Sequence, residues 1–114
     1  MDHYAFADDW IASWNAHDLT AILAHYANDI EIFTLMIKLA TGGTQDSLVG
    51  KEAIGAYWQK ALDNIPGLHF KLLEVTAGVN SVALYYESVM NKKAIEVMFF
   101  DDQGKVNRMF SYYT

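Results

Sequence analysis

Apolar residues in the first third of the chain recur at helical spacing: Phe6, Trp10 and Trp14, then Leu19, Ile22, Leu23, Tyr26 and Ala27. This period predicts two helices in series with a break near Asn15 to Asp18. Asp18 is placed to cap the second helix, because its carboxylate can accept from the free N–H groups of the next turn. From Asp29 the pattern becomes alternating, with Ile30, Ile32 and Thr34 on one side and Glu31, Phe33 and Leu35 on the other, which predicts a short strand. Met36 to Leu39 alternates well enough to extend it. Thr41 to Gly50 is turn-rich and holds three of the seven glycines, so a flexible loop or lid is expected there.

The helical period returns over Lys51 to Ile65, with Ile54, Tyr57, Trp58, Ala61, Leu62 and Ile65 on one broad face, and Pro66-Gly67 stops it. Four strand-like segments follow: Leu68 to Ala77, Val82 to Met90, Ala94 to Asp101 and Lys105 to Tyr113. The gaps between them are short, so the topology expected is an antiparallel meander. His69 and Lys71 share one phase, Glu74 and Thr76 the other, and the shift near Leu72-Leu73 predicts a β-bulge that bends the sheet. Val82 to Met90 and Ala94 to Phe100 are apolar on both parities, so both faces of the sheet must be covered. Helices cover one face. A second copy of the chain is expected on the convex outer face, as a homodimer.

Composition narrows the function classes. With 114 residues, 53% hydrophobic and 19% charged, the chain makes a single domain over residues 1–114 and not a disordered segment. A net charge of -6 would repel phosphate backbones, so nucleic acid and anionic membranes are not expected partners. There is no cysteine, which removes thiolate chemistry and cysteine-ligated metals. The opening MDHYAFADDW is acidic where a leader would be basic, and no apolar run approaches the ~20 residues of a spanning helix, so a cytoplasmic location is the expectation.

The segments WIASWNAHDLTAILAHYANDIEI, GKEAIGAYWQKAL and AIEVMFFDDQGKVNRMFSYY, in that order, resemble the SnoaL-like branch of the nuclear transport factor 2-like superfamily. The resemblance spans essentially the whole chain. It implies an α+β fold: a cone-shaped, strongly bent antiparallel sheet wrapped around three helices, with a pocket between them. It does not imply one chemistry, because this scaffold carries isomerases, cyclases, dehydratases, epoxide hydrolases and assembly modules. Aligned with ketosteroid isomerases of the same superfamily, the oxyanion-hole tyrosine falls on Trp10, the proton-abstracting aspartate on Thr34, and the protonated carboxylic donor on Glu96. One of three chemical roles survives. The pocket tyrosine at the end of the second helix matches Tyr26, the aromatic pair of the third helix matches Tyr57 and Trp58, and the last strand matches with Met109, Ser111 and Tyr113.

Glu96 stands out without any family, as the one charge in the strand AIEVMFF. Burial there would raise its pKa, so that it could donate a hydrogen bond or act as an acid near neutrality; a structural carboxylate bonded to Trp or Tyr is the plainer alternative. If Asn91-Lys92 is a two-residue turn, Glu87 faces Glu96 and the two could share a proton. If the turn has an odd number of residues, Tyr86 or Ser88 takes that place and Glu87 faces outward. The candidate ligand wall is Trp10, Trp14, Tyr26, Thr34, Tyr57, Trp58, Leu62, Phe70, Met98, Met109, Ser111 and Tyr113, suited to a small apolar or aromatic molecule. His3, His17, His25 and His69 lie on different elements without metal-ligand spacing, so no metal site is expected. No P-loop, nucleophile elbow or Arg-Asp set is visible, and no cofactor is expected. The function expected is a small-molecule pocket protein, acting as a cofactor-independent acid-base isomerase or cyclase. The rival is a non-catalytic assembly module whose cone is filled by its own side chains.

Overall fold

A computed structural model describes residues 1–114. Helix α1 runs His3–Asn15, capped by the Asp2 carboxylate on the Tyr4 and Ala5 N–H groups, and α2 is a short Leu19–Leu23 helix capped by Asp18 on the Ala21 N–H. Strand β1 is Tyr26–Phe33, α3 Leu35–Ala40, β2 Ser47–Val49 and α4 Lys51–Asn64. Strands β3 Lys71–Gly78, β4 Ser81–Glu87, β5 Lys93–Phe100 and β6 Val106–Tyr113 complete the chain. The fold is α+β, with one six-stranded sheet in the order β2-β1-β6-β5-β4-β3. The four last strands form the expected meander. The β1–β6 pair is parallel and closes the sheet onto its N-terminal part.

Three expectations need correction. Tyr26 opens β1 instead of ending a helix: α2 stops at Leu23, and the Tyr26 side chain is drawn into the core to meet Trp10. Residues 35–40 form α3, not a strand extension, because the Thr34 hydroxyl caps a new helix on the Met36 N–H. The stretch 41–50 is only partly loop, since Ser47–Val49 pairs with β1 and Gly50, at φ 97°, turns the chain into α4. The sheet is therefore wrapped by four helices, not three.

The register shifts between Leu72 and Glu74 in β3, where the change of phase predicted a bulge. Further irregularities lie between Phe99 and Phe100 against β6 and between Tyr26 and Glu31 against β6. Such irregularities bend and twist a sheet locally, which lets it curve around the helices. Asn15 ties α1 to the start of β3 by donating to the Phe70 carbonyl at 2.9 Å and accepting from the Phe70 N–H at 2.7 Å. The inward parity of β4 and β5 (Val82, Leu84, Tyr86, Ala94, Glu96, Met98) is buried. The outward parity leaves Ile95, Phe99 and Tyr112 at 39%, 38% and 56% exposure. Phe33 and Phe110 stack on this outer face with centroids 4.7 Å apart, and the Arg108 guanidinium lies over both rings. No helix is long and apolar enough to cross a membrane.

Candidate functional site

The concave face of the sheet, α1, α3 and α4 enclose a cavity of about 260 Å³. By liquid volume this is room for about nine waters, or for a molecule of one or two rings. Fifteen of its nineteen lining residues are hydrophobic, so its few polar atoms decide orientation. Trp10 and Trp14 project from α1 one turn apart, Tyr57, Trp58 and Ala61 from one face of α4, Ile65 from the residue that ends it, and Phe70 from the segment before β3. Met109, Ser111 and Tyr113 alternate inward along β6, as the period of a strand requires.

Glu96 lies at the centre of the polar wall and is 4% exposed. The Tyr86 hydroxyl donates to its Oε1 at 2.7 Å and the Ser111 hydroxyl to its Oε2 at 2.5 Å. Burial pushes the Glu96 carboxyl up to about 7, against the two hydroxyl donors that favour its anionic form. Burial and the adjacent carboxylate raise the Tyr86 phenol well above its ordinary value and push Tyr113 up to about 12, so both stay neutral. The Thr34 hydroxyl points toward the Tyr113 oxygen at 3.5 Å while accepting from the Met36 N–H at 3.2 Å. A carboxyl that titrates near neutrality in an apolar chamber can serve as acid or base at physiological pH.

Glu87 is the main correction. The β4–β5 connection is a five-residue loop, Ser88–Lys92, with Met90 and Asn91 both in the left-handed region at φ 57° and 58°. Glu87 therefore pairs with Lys93, is exposed on the outer parity, and leaves Leu84 opposite Glu96. Tyr86 reaches the carboxyl diagonally instead. No second carboxylate shares the cavity.

Ten of the expected residues line the chamber: Trp10, Trp14, Thr34, Tyr57, Trp58, Phe70, Glu96, Met109, Ser111 and Tyr113. Tyr26, Leu62 and Met98 do not, being packed into the core. The Tyr26 oxygen accepts the Trp10 indole N–H at 2.8 Å and points to the Met109 sulfur at 3.6 Å, and burial raises its pKa. The Trp14 N–H is enclosed without an acceptor, with the ring edge-on to Trp58 at 5.2 Å. Tyr86, one of the two alternatives for an odd turn, is the partner of Glu96, while Ile32, Met36, Leu68 and the loop residues Val89 and Met90 line the chamber without having been named for it. Inward parity was the available signal for Tyr86. The mouth is marked by lining residues that reach solvent, chiefly Met90 at 72% exposure, with Met36 from α3 beside them. None of residues 41–50 lines the chamber.

His25 bonds to Asp9 at 2.8 Å near the surface and His17 to the Leu68 carbonyl at 2.7 Å; no group of three potential metal ligands comes together.

Comparison with known proteins accords with this geometry. The family model described as a SnoaL-like domain matches residues 7–114. A SnoaL-like protein of unknown function from Burkholderia thailandensis E264 is 42% identical, with 98% of this chain and 94% of that one covered and a TM-score of 0.93. A candidate isomerase of the SnoaL-like family from Agrobacterium tumefaciens str. C58 is 15% identical, covering 98% and 97% of the two chains at a TM-score of 0.76. A candidate polyketide cyclase from Sinorhizobium meliloti is 14% identical, covering 93% and 92% at 0.75. No functionally curated protein matches the chain. With the family model matched over nearly its whole length, and the helix-lined cavity on the concave sheet in place, this chain belongs to the SnoaL-like domain family.

Proposed function

We propose that the protein binds a small apolar or aromatic molecule in the cavity and that Glu96 exchanges a proton with it, without a cofactor, in an isomerase- or cyclase-type rearrangement. The observation that carries this reading is one buried carboxyl, titrating near 7, in the wall of an aromatic chamber with an open mouth. General acid-base catalysis is most efficient when the group's pKa lies near the working pH. The two distant relatives named for isomerase and polyketide cyclase activity share the fold at 15% and 14% identity, which supports the scaffold's capacity for such reactions and not the roles of these side chains. The rival reading, a non-catalytic assembly module, calls for a cone filled by its own side chains. A cavity of about 260 Å³ beside Glu96 favours binding over it.

The test is solvent-hydrogen exchange. One- and two-ring ketones incubated with the protein in D2O should gain deuterium at the carbon beside the carbonyl, and Glu96→Gln should lose this while keeping the fold. Ala61→Trp, which places a bulky ring in the chamber, should abolish binding in calorimetry. Equal exchange by wild type and Glu96→Gln would remove Glu96 from the chemistry. Unchanged binding in Ala61→Trp would remove the cavity.

A further inference from the structure

Glu96 is an enclosed acid with no positive partner. No lysine, arginine or histidine lines the cavity. The groups around the carboxyl are Tyr86 from β4, Ser111 and Tyr113 from β6 and Tyr26 from β1, and α4 adds Tyr57 to the same cavity wall; none of them is cationic. Lys92, in the mouth loop, donates instead to the Thr114 carbonyl at 3.3 Å. A buried carboxylate without a counter-charge is unfavourable, and natural interiors normally pair it.

The hydrogen bonds around Glu96 run in a telling direction. Tyr86 and Ser111 both donate to it, which stabilises its anion. The indole N–H of Trp10 is taken by Tyr26, and that of Trp14 is enclosed, so neither offers itself to a negative group on a ligand. Six aromatic rings, those of Trp10, Trp14, Tyr57, Trp58, Phe70 and Tyr86, line the cavity among aliphatic and methionine side chains. Ring faces attract cations, tryptophan most strongly. A net charge of -6 on the chain adds a long-range bias in the same sense.

We infer that the natural ligand carries a positively charged nitrogen, an ammonium or iminium on a one- or two-ring apolar frame, seated against Glu96 within the aromatic wall. The inference rests on the pocket reading above and adds the charge of the ligand to it. It makes the ligand the missing counter-ion of the site.

Three probes of similar size and different charge test it: 2-phenylethylamine, 2-phenylethanol and phenylacetate. All three tryptophans of the chain line the cavity, so indole fluorescence reports binding directly, with calorimetry for affinity. About one pH unit above the carboxyl's midpoint, the amine should bind at least about tenfold more tightly than the alcohol, and phenylacetate most weakly. Glu96→Gln should erase the preference. Wild type alone gives a second readout: below pH 7 the amine's affinity should fall roughly tenfold per pH unit as Glu96 takes up its proton, while the alcohol's stays level. That profile decides the matter even where the variant does not fold. Alcohol binding as tight as the amine's would overturn the inference and leave the pocket reading standing. No fluorescence change with any of the three at millimolar concentration would overturn both.

Discussion

Glu96 is held where a carboxylate is poorly solvated, and its consequences extend from ligand binding to stability. Its carboxyl lies at about 7 in the folded chain against an ordinary 4.5. A raised acid favours the folded state while protonated, so its contribution is fully present below about 4.5 and is lost as the pH rises through about 7. At about 1.4 kcal/mol per pH unit this amounts to about 3 kcal/mol. The unfolding free energy of wild type, relative to Glu96→Gln at the same pH, should therefore fall by about 3 kcal/mol between pH 4.5 and pH 8. Urea denaturation of both proteins across that range measures it; parallel curves would mean an unperturbed carboxyl. This residue was legible in the sequence because a single charge interrupts an apolar strand. Glu87 was not correctly legible, because its facing depends on the length of a loop whose residues Met90 and Asn91 adopt a left-handed backbone without glycine.

At the scale of elements, the least readable segment was residues 35–40. Leu-Met-Ile-Lys-Leu-Ala satisfies both a strand and a single helical turn, and six residues are too few for the period to decide. What decides is Thr34. Its hydroxyl caps α3 through the Met36 N–H and simultaneously faces Tyr113 at the cavity wall. Thr34→Val should cost about 1 kcal/mol by removing the cap, with Thr34→Ser close to wild type, as read by chemical denaturation. Because Met36 follows directly in α3 and lines the mouth, the same variant should also speed exchange of the α3 amide hydrogens. By contrast α4 was readable to within a residue, since fourteen residues with a clear apolar face and a Pro-Gly stop leave no competing pattern.

For the whole molecule, the outer face of the sheet remains the strongest unfilled demand. Ile95, Phe99 and Tyr112 reach solvent beside the Phe33–Phe110 stack, and contiguous apolar area of this kind is unusual on a monomer. We propose that a second copy of the chain covers this face. Light scattering at micromolar concentration should give twice the 12.9 kDa chain mass. Phe99→Glu should halve that mass while leaving the circular dichroism of the fold unchanged, since its side chain is not part of the buried core. A wild-type monomer would refute the proposal.

Much of the named cavity wall came from the family resemblance, whereas periodicity along the chain was sufficient for the long elements, the meander and the bulge in β3. These follow from local chemistry: a 3.6 or 2.0 repeat assigns each side chain to a face wherever the element is long enough to average over exceptions. The parallel β1–β6 pairing, the burial of Tyr26 beneath Trp10, the diagonal contact of Tyr86 with Glu96 and the opening of the mouth beside Met90 were decided only by tertiary structure. Each depends on which distant segments meet and in what register, and one residue more or less in a connecting loop changes that outcome while barely altering the local pattern.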